Sequence, residues 1–188
     1  MKKTLSSALL VAAAFAALPA AAQTGPAAGT VQVNGTVAAK CYALQPIAGT
    51  ISLGELAKDD GTIDEAFSKA TGGKSTMFTV RCNGSNPLLS VRALPLVNNA
   101  VTETANGYTN KVHYTATLDA TRAQGGKTSV AAPSRETAPA TARVDGRLAA
   151  EANNMLLTIS SGQTESSTAI LDAGAYQGSV SVTISAPL

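Results

Sequence analysis

The chain has 188 residues, with 14 basic and 12 acidic side chains and a formal net charge of +2. Basic stripes with interleaved aromatic residues do not occur, which argues against nucleic-acid binding. Aromatic residues make up 4% of the chain and tryptophan is absent, so we expect a core of Val, Ile, Leu and Ala. The length is that of one ordinary domain.

The first 22 residues have the pattern of a secretory signal peptide. Lys2 and Lys3 form a basic start, an apolar stretch covers residues 5–18, and small residues at 20–22 are typical of a cleavage site. The apolar stretch is too short for a membrane span. We therefore predict that residues 1–22 are removed on export, which leaves basic and acidic side chains in equal number.

Alternating apolar and polar residues predict short β-strands along the rest of the chain. The predicted strands are TVQVNGTVAAKC, GTISLG, STMFTVRC, LLSVRAL, KVHYTATLDA, NMLLTIS and QGSVSVTI. Thr62 and Glu65 have capping-box spacing, which predicts one helical turn near Ile63. Residues 120–153 predict short edge strands and loops, and the pair Asp145-Gly146 favours a hairpin turn. Roughly seven or eight short strands favour an all-β sandwich.

Cys41 and Cys82 are the only cysteines of the chain. In an exported protein, a single pair most simply forms one disulfide. A metal site would need more ligands, and His113 is the only histidine. The bridge would close a loop of about 41 residues and contribute roughly 4 kcal/mol.

No constellation in the sequence predicts an enzyme, and we expect neither a cofactor nor a catalytic residue. TGGKST lacks the first glycine of a phosphate-binding loop, because Ser68 stands there, and a strand rather than a helix is predicted to follow it. The carboxylates within residues 59–65 miss the EF-hand spacing, which favours a solvated loop over a cation site. His113 has no partner for a familiar triad, so a surface or hydrogen-bonded position is expected.

Several stretches, taken in this order, resemble the spore coat protein U family and the related subunits of archaic chaperone–usher pili. A Val-alternating start leads to Cys41, GTISLG follows, and FTVRCNGSNPLLSVRA is similar to the family's strand–Cys–turn–strand unit. AGAYQGSVSVTI is similar to the family's closing strand, with Gly174 and Tyr176 in the matching places. VDGRL is similar to a further segment, although Asp145 stands where an aromatic residue is expected. A long Ala/Ser/Thr-rich insert after VDGRL departs from the pattern.

The resemblance implies an all-β, immunoglobulin-like sandwich that lacks its final strand and is completed by donor-strand exchange. Residues 35–188 would form this sandwich, and residues 23–34 would form the donor extension of an extracellular pilus or surface-coat subunit. The implied partners are identical or related subunits joined head to tail, a periplasmic chaperone and an outer-membrane usher. The implied route is through the periplasm to the cell surface.

The resemblance also implies which residues meet between subunits. The donor strand would carry Ala27, Gly29, Val31 and Val33. The acceptor groove would follow the terminal strand at Tyr176, Val180, Val182 and Ile184. Two alternatives stay open, since Val31 and Val33 could belong to the subunit's own first strand. The whole chain could also be a self-contained secreted β-sandwich that binds a carbohydrate or a surface.

Overall fold

The computed structural model describes residues 29–186, and within them the chain is almost entirely β-structure. The elements in chain order are β1 (Cys41–Ala43), α1 (Glu65–Ser68), β2 (Lys74–Phe78), β3 (Val80–Cys82), β4 (Leu88–Val97), β5 (Tyr108–Thr109), β6 (Lys111–Thr121), β7 (Lys127–Pro133), β8 (Ala140–Arg143), β9 (Met155–Gln163), β10 (Ile170–Leu171) and β11 (Gln177–Ser185). The predicted all-β class is confirmed. The predicted signal peptide and Ala27 lie outside the described residues.

The strands pair in the order β11-β4-β6-β9-β2, with β7 beside β6 and β8 beside β4. β4 and β6 share only the pairs Leu96–Val112 and Val97–Lys111. The path therefore divides into a β11-β4-β8 group and a β7-β6-β9-β2 group. The short pair β1–β3 is antiparallel, and the short pair β5–β10 is parallel. These antiparallel sheets are consistent with a β-sandwich.

The core consists of alternate residues of the long strands, because successive side chains of a strand point to opposite faces. In β4 and β6 the buried residues are Leu89, Val91, Ala93, Leu96, Val112, Tyr114, Ala116, Leu118 and Ala120. Each fully buried Val or Leu contributes about 1.5–3 kcal/mol. The mainly aliphatic core is the one that the composition predicts.

Two predicted strands and one predicted turn are absent from the structure. Residues 29–40 contain no strand, and β1 begins only at Cys41. GTISLG, residues 49–54, also forms no strand. The Asp145-Gly146 pair does not close a hairpin, because the chain after β8 bonds to an earlier turn. The Gly146 N–H donates to Asn86 Oδ1 at 2.8 Å, and the Asn86 N–H donates to the Gly146 carbonyl at 2.6 Å.

The predicted helical turn is present as α1, but its cap differs from the prediction. Asp64 is the N-cap residue, and its Oδ1 accepts a hydrogen bond from the Ala66 N–H at 2.6 Å. The hydroxyl of Thr62 instead donates to Asp60 at 2.6 Å, so the Thr62–Glu65 capping box does not form. The carboxylates of this loop thus stabilise the loop itself. Within residues 29–186, no group of three or more His, Cys, Asp or Glu side chains is arranged to hold a metal ion.

Candidate functional site

β11 is an edge strand with one uncovered side. It pairs antiparallel with β4 along its length, and its other edge pairs with no residue that the structure describes. Val180, Val182 and Ile184 pack against the core but are only partly buried, while Ser181 and Thr183 between them are exposed. A strand edge of this kind is a template for pairing with another strand.

A second stretch with unpaired main chain, residues 45–55, contributes to the same region. It forms no main-chain hydrogen bond with the main chain of any described residue. Ile51 and Leu53 are nevertheless partly buried and pack against the core. The alternation of GTISLG therefore serves packing, but the stretch is not a strand because it lacks a partner to form a ladder.

An open groove of about 820 Å³ lies beside the start of β11, and of the strand only Gln177 and Gly178 line it, so the predicted groove residues Val180, Val182 and Ile184 lie beyond it along the free edge. Residues 50–57 form one wall and residues 171–178 form the other. The aliphatic side chains in its lining are Ile51, Leu53, Leu56, Leu96 and Leu171. Aliphatic side chains beside a stretch of unpaired main chain are features that strand addition needs.

Tyr176 anchors the wall of the groove directly before β11. Its hydroxyl lies 2.9 Å from the Thr109 carbonyl and 3.0 Å from the Asp172 carbonyl, and it can donate to either. Burial raises the pKa of Tyr176, and the charge of Asp172 adds to that shift. The sequence predicts Tyr176 within the acceptor strand. In the structure it lies in the groove wall, and β11 begins one residue later at Gln177.

The first residues of β11 are held by two features that alternation does not reveal. The pairing register with β4 shifts between Gln177 and Ser179, which marks a β-bulge. A Cβ on Gly178 would stand 2.9 Å from two main-chain oxygens of β4, so only glycine fits. The buried Tyr114 donates its hydroxyl to the Ser179 carbonyl at 3.1 Å, and burial raises the pKa of Tyr114 to about 12. A glycine inside a strand pattern was the available sequence signal.

The N-terminal residues that the structure describes have exposed apolar side chains. Val31 and Val33 are 85% and 91% exposed. They belong to no strand of their own chain in the structure, because residues 29–40 contain neither helix nor strand. A Cβ on Gly29 would have nothing within 4 Å. The compact unit that holds all the strands begins at Val37.

The predicted disulfide is confirmed. Cys41 and Cys82 are bridged and face each other in the β1–β3 pairing, with their Cα atoms 4.1 Å apart. The Asn83 side chain also holds the main chain just before β1. Its Nδ2 donates to the Ala38 carbonyl at 2.9 Å, and its Oδ1 accepts from the Lys40 N–H at 2.7 Å. The point where the chain enters the compact unit is thus fixed by a covalent bond and two hydrogen bonds.

His113 is buried and hydrogen-bonded. Its Nε2 lies 2.8 Å from Glu165 Oε1, and its Nδ1 lies 3.5 Å from Ser134 Oγ. Hydrogen bonding from Arg135, followed by that from His113, holds the pKa of Glu165 below its ordinary value. Ser134 Oγ also accepts from the Tyr114 N–H at 2.9 Å, so its oxygen is already engaged. The cluster links β6 to the loop after β9.

No family model matches the sequence, and the searches of curated proteins and of solved structures also returned no match. Within residues 29–186, no helix is long and apolar enough to cross a membrane. The resemblance to the spore coat protein U family therefore rests on the sequence motifs alone.

Proposed function

We propose that the chain is a structural subunit of an extracellular pilus or surface coat that assembles by donor-strand exchange. The N-terminal extension of one copy pairs with the free edge of β11 of the next, reaches the groove at the start of that strand and completes an immunoglobulin-like sandwich. The observation that carries the proposal is the groove. Several aliphatic side chains line it, and the main chain of residues 50–55 along one wall forms no hydrogen bond with the main chain of any described residue.

The extension has the chemistry that this groove requires. Val31 and Val33 are two residues apart, so in a strand they point to the same side. Each Val that the groove buries adds about 1.5–3 kcal/mol, and each new ladder hydrogen bond adds about 0.5–1.5 kcal/mol. Ala27 and Gly29 continue the same face with small residues, while Gln32 stays on the solvent side.

Head-to-tail pairing of this kind extends without closing and produces a filament. An uncovered strand edge is also an aggregation hazard before assembly. The periplasmic chaperone that the sequence resemblance implies would cover the edge until the outer-membrane usher joins the next copy. The proposed location is therefore the cell surface, after passage through the periplasm.

The test appends a second copy of residues 27–36 after Leu188 through a short flexible linker. Val33→Asp in the original extension prevents that extension from joining other copies. We expect a monomer with a higher urea midpoint than the same chain whose appended copy carries Asp at both Val positions. If the Val33→Asp chain is already a stable monomer and the appended donor leaves its midpoint unchanged, a self-contained β-sandwich binding module replaces this proposal.

A further inference from the structure

We infer that successive copies also meet through oppositely charged end surfaces, so that each joint combines a donor strand with a salt-sensitive contact between ends. The inference rests on the proposed function and adds a second contact to it. The observation behind it is that charged side chains without an ion-pair partner are basic at one end of the strands and acidic at the other. This observation does not depend on the groove.

One end of the fold, the basic end, is defined by Lys40, Arg81, Arg143 and Arg147. Hydrogen bonds bring these parts together around the turn that follows β3. The Lys40 N–H donates to Asn83, and the Arg147 guanidinium donates to the Asn83 carbonyl at 2.9 Å. None of the four basic side chains has a carboxylate of a described residue within 4.0 Å. Glu151, in the loop before β9 at the same end, offsets only part of this charge, so the end presents net positive charge.

The opposite end, the acidic end, is defined by Glu55, Asp59, Asp60, Asp64, Glu103 and Asp172. Main-chain hydrogen bonds bring its segments together. The Leu171 N–H donates to the Gly61 carbonyl, and the Asp172 N–H donates to the Thr109 carbonyl. None of the six carboxylates has a basic partner within 4.0 Å among the described residues. Lys58 and Lys111 offset only part of this charge. The ten residues of β4 separate the two ends by about 33 Å.

The N-terminal extension leaves the compact unit at the basic end, where Ala38 bonds to Asn83. β11 runs from the acidic end, where Gln177 pairs with Val97, to the basic end, where Ser185 pairs with Leu88. A donor that lies antiparallel to β11 therefore leaves the groove at the acidic end of the accepting copy. A parallel donor would bring two basic ends together.

The connection between donor and fold is short. The five steps from Val33 to Ala38 span at most about 18 Å, and the Debye length is about 8 Å at physiological ionic strength. The connection thus limits how far the basic end of one copy can lie from the acidic end of the next, and the two ends attract each other where they come within about one Debye length. Residues 23–39 carry no charged side chain, so a salt dependence of joining would arise from the ends and not from the donor.

The test reverses exposed charges at each end. One variant carries Lys40→Glu with Arg143→Glu, and the other carries Asp59→Lys with Glu103→Lys. We expect each to join copies about tenfold more slowly than wild type at low ionic strength, as followed by light scattering. The difference should shrink at about 0.5 M salt. The chain with all four changes should regain the wild-type rate, because opposite charges face each other again.

A matched control for the basic-end variant places the same change of net charge away from both ends. Lys74→Glu with Arg92→Glu alters two exposed strand positions in β2 and β4, and neither side chain forms an ion pair among the described residues. We expect this variant to join copies at the wild-type rate. An equal slowing in this control would overturn the inference, because net charge alone would then explain the effect.

A second measurement separates this inference from the proposed function. A capped peptide of residues 27–36 carries no charge, and its binding to each variant is followed by fluorescence anisotropy in a Val33→Asp background. Equal peptide binding together with the stated changes in joining supports the inference. Equal peptide binding with unchanged joining, or without rescue in the four-change chain, overturns the inference and leaves the proposed function standing. A peptide that does not bind at all overturns both.

Discussion

Val33→Asp tests the groove directly because Val33 is 91% exposed in the single chain. A side chain with almost no contacts contributes almost nothing to the stability of its own subunit. We therefore expect the free energy of unfolding of the monomer to change by less than about 0.5 kcal/mol. Any larger effect on joining must then come from contacts between copies.

In the joined state, the same substitution acts in an apolar environment. It removes the burial of one Val, which is worth about 1.5–3 kcal/mol. It also places a carboxylate beside a lining that includes Leu96 and Leu171, each 9% exposed, and an unpaired charge there costs several kcal/mol more. The total of about 5 kcal/mol corresponds to joining that is weaker by more than about a thousandfold.

Light scattering coupled to size-exclusion chromatography measures joining, and thermal denaturation measures the monomer. Gln32→Asp is the matched control, since it places the same charge on the neighbouring residue, which points to the solvent side of the donor. We expect Gln32→Asp to join nearly as well as wild type. The reasoning is refuted if Val33→Asp joins equally well. It is also refuted if Val33→Asp lowers the melting temperature of the monomer, because Val33 would then pack within its own chain.

Four further predictions concern the subunit itself. Replacing Cys41 and Cys82 by Ala should lower the free energy of unfolding by roughly 4 kcal/mol, as expected for a bridge across 41 residues, and urea titration measures this. Tyr114→Phe should cost about 1 kcal/mol. The pKa of Tyr114 in the folded chain, about 12, exceeds its ordinary value of about 10. The stability that its hydroxyl contributes is therefore fully present below the ordinary pKa and is lost as pH rises towards 12. The Phe variant should not show this loss of stability at alkaline pH. The pKa of Glu165 is lowered in the folded chain, so its contribution is present above the ordinary carboxyl pKa and is lost as pH falls through the folded value. Glu165→Gln should therefore flatten the acid side of a plot of melting temperature against pH. We expect no hydrolase activity, and turnover of any substrate in a broad panel that His113→Ala abolishes would contradict a purely structural role.

The strands that the sequence predicts correctly have a pairing partner among the described residues. β6 and β11 alternate between apolar and polar residues, and each pairs within the fold. GTISLG and the segment around Val31 and Val33 alternate in the same way, yet neither is a strand in the structure. Alternation records that a segment is suited to a sheet, but it does not say which chain supplies the neighbouring strand.

Other features depend on proximity that no local pattern contains. The hydrogen bond from Tyr114 to β11 joins residues 65 positions apart. Asp64 is the helix cap, but the capping-box spacing of Thr62 and Glu65 favours a different cap. The two charged ends are also invisible in the sequence, because their members come from distant segments. The disulfide could be predicted because the chain offers only one pair of cysteines.

The position of the disulfide determines how the subunit responds to tension. Cys41 is the first residue of β1, and it lies four residues after the start of the compact unit at Val37. Residues 50–57, which form one wall of the groove, lie inside the loop that the bridge to Cys82 closes. In a fibre of the proposed kind, a force on the extension enters the fold at Cys41 and crosses the bridge to β3 without passing through that wall. Such a force on the extension would therefore not stretch the loop between Cys41 and Cys82 that contains this wall.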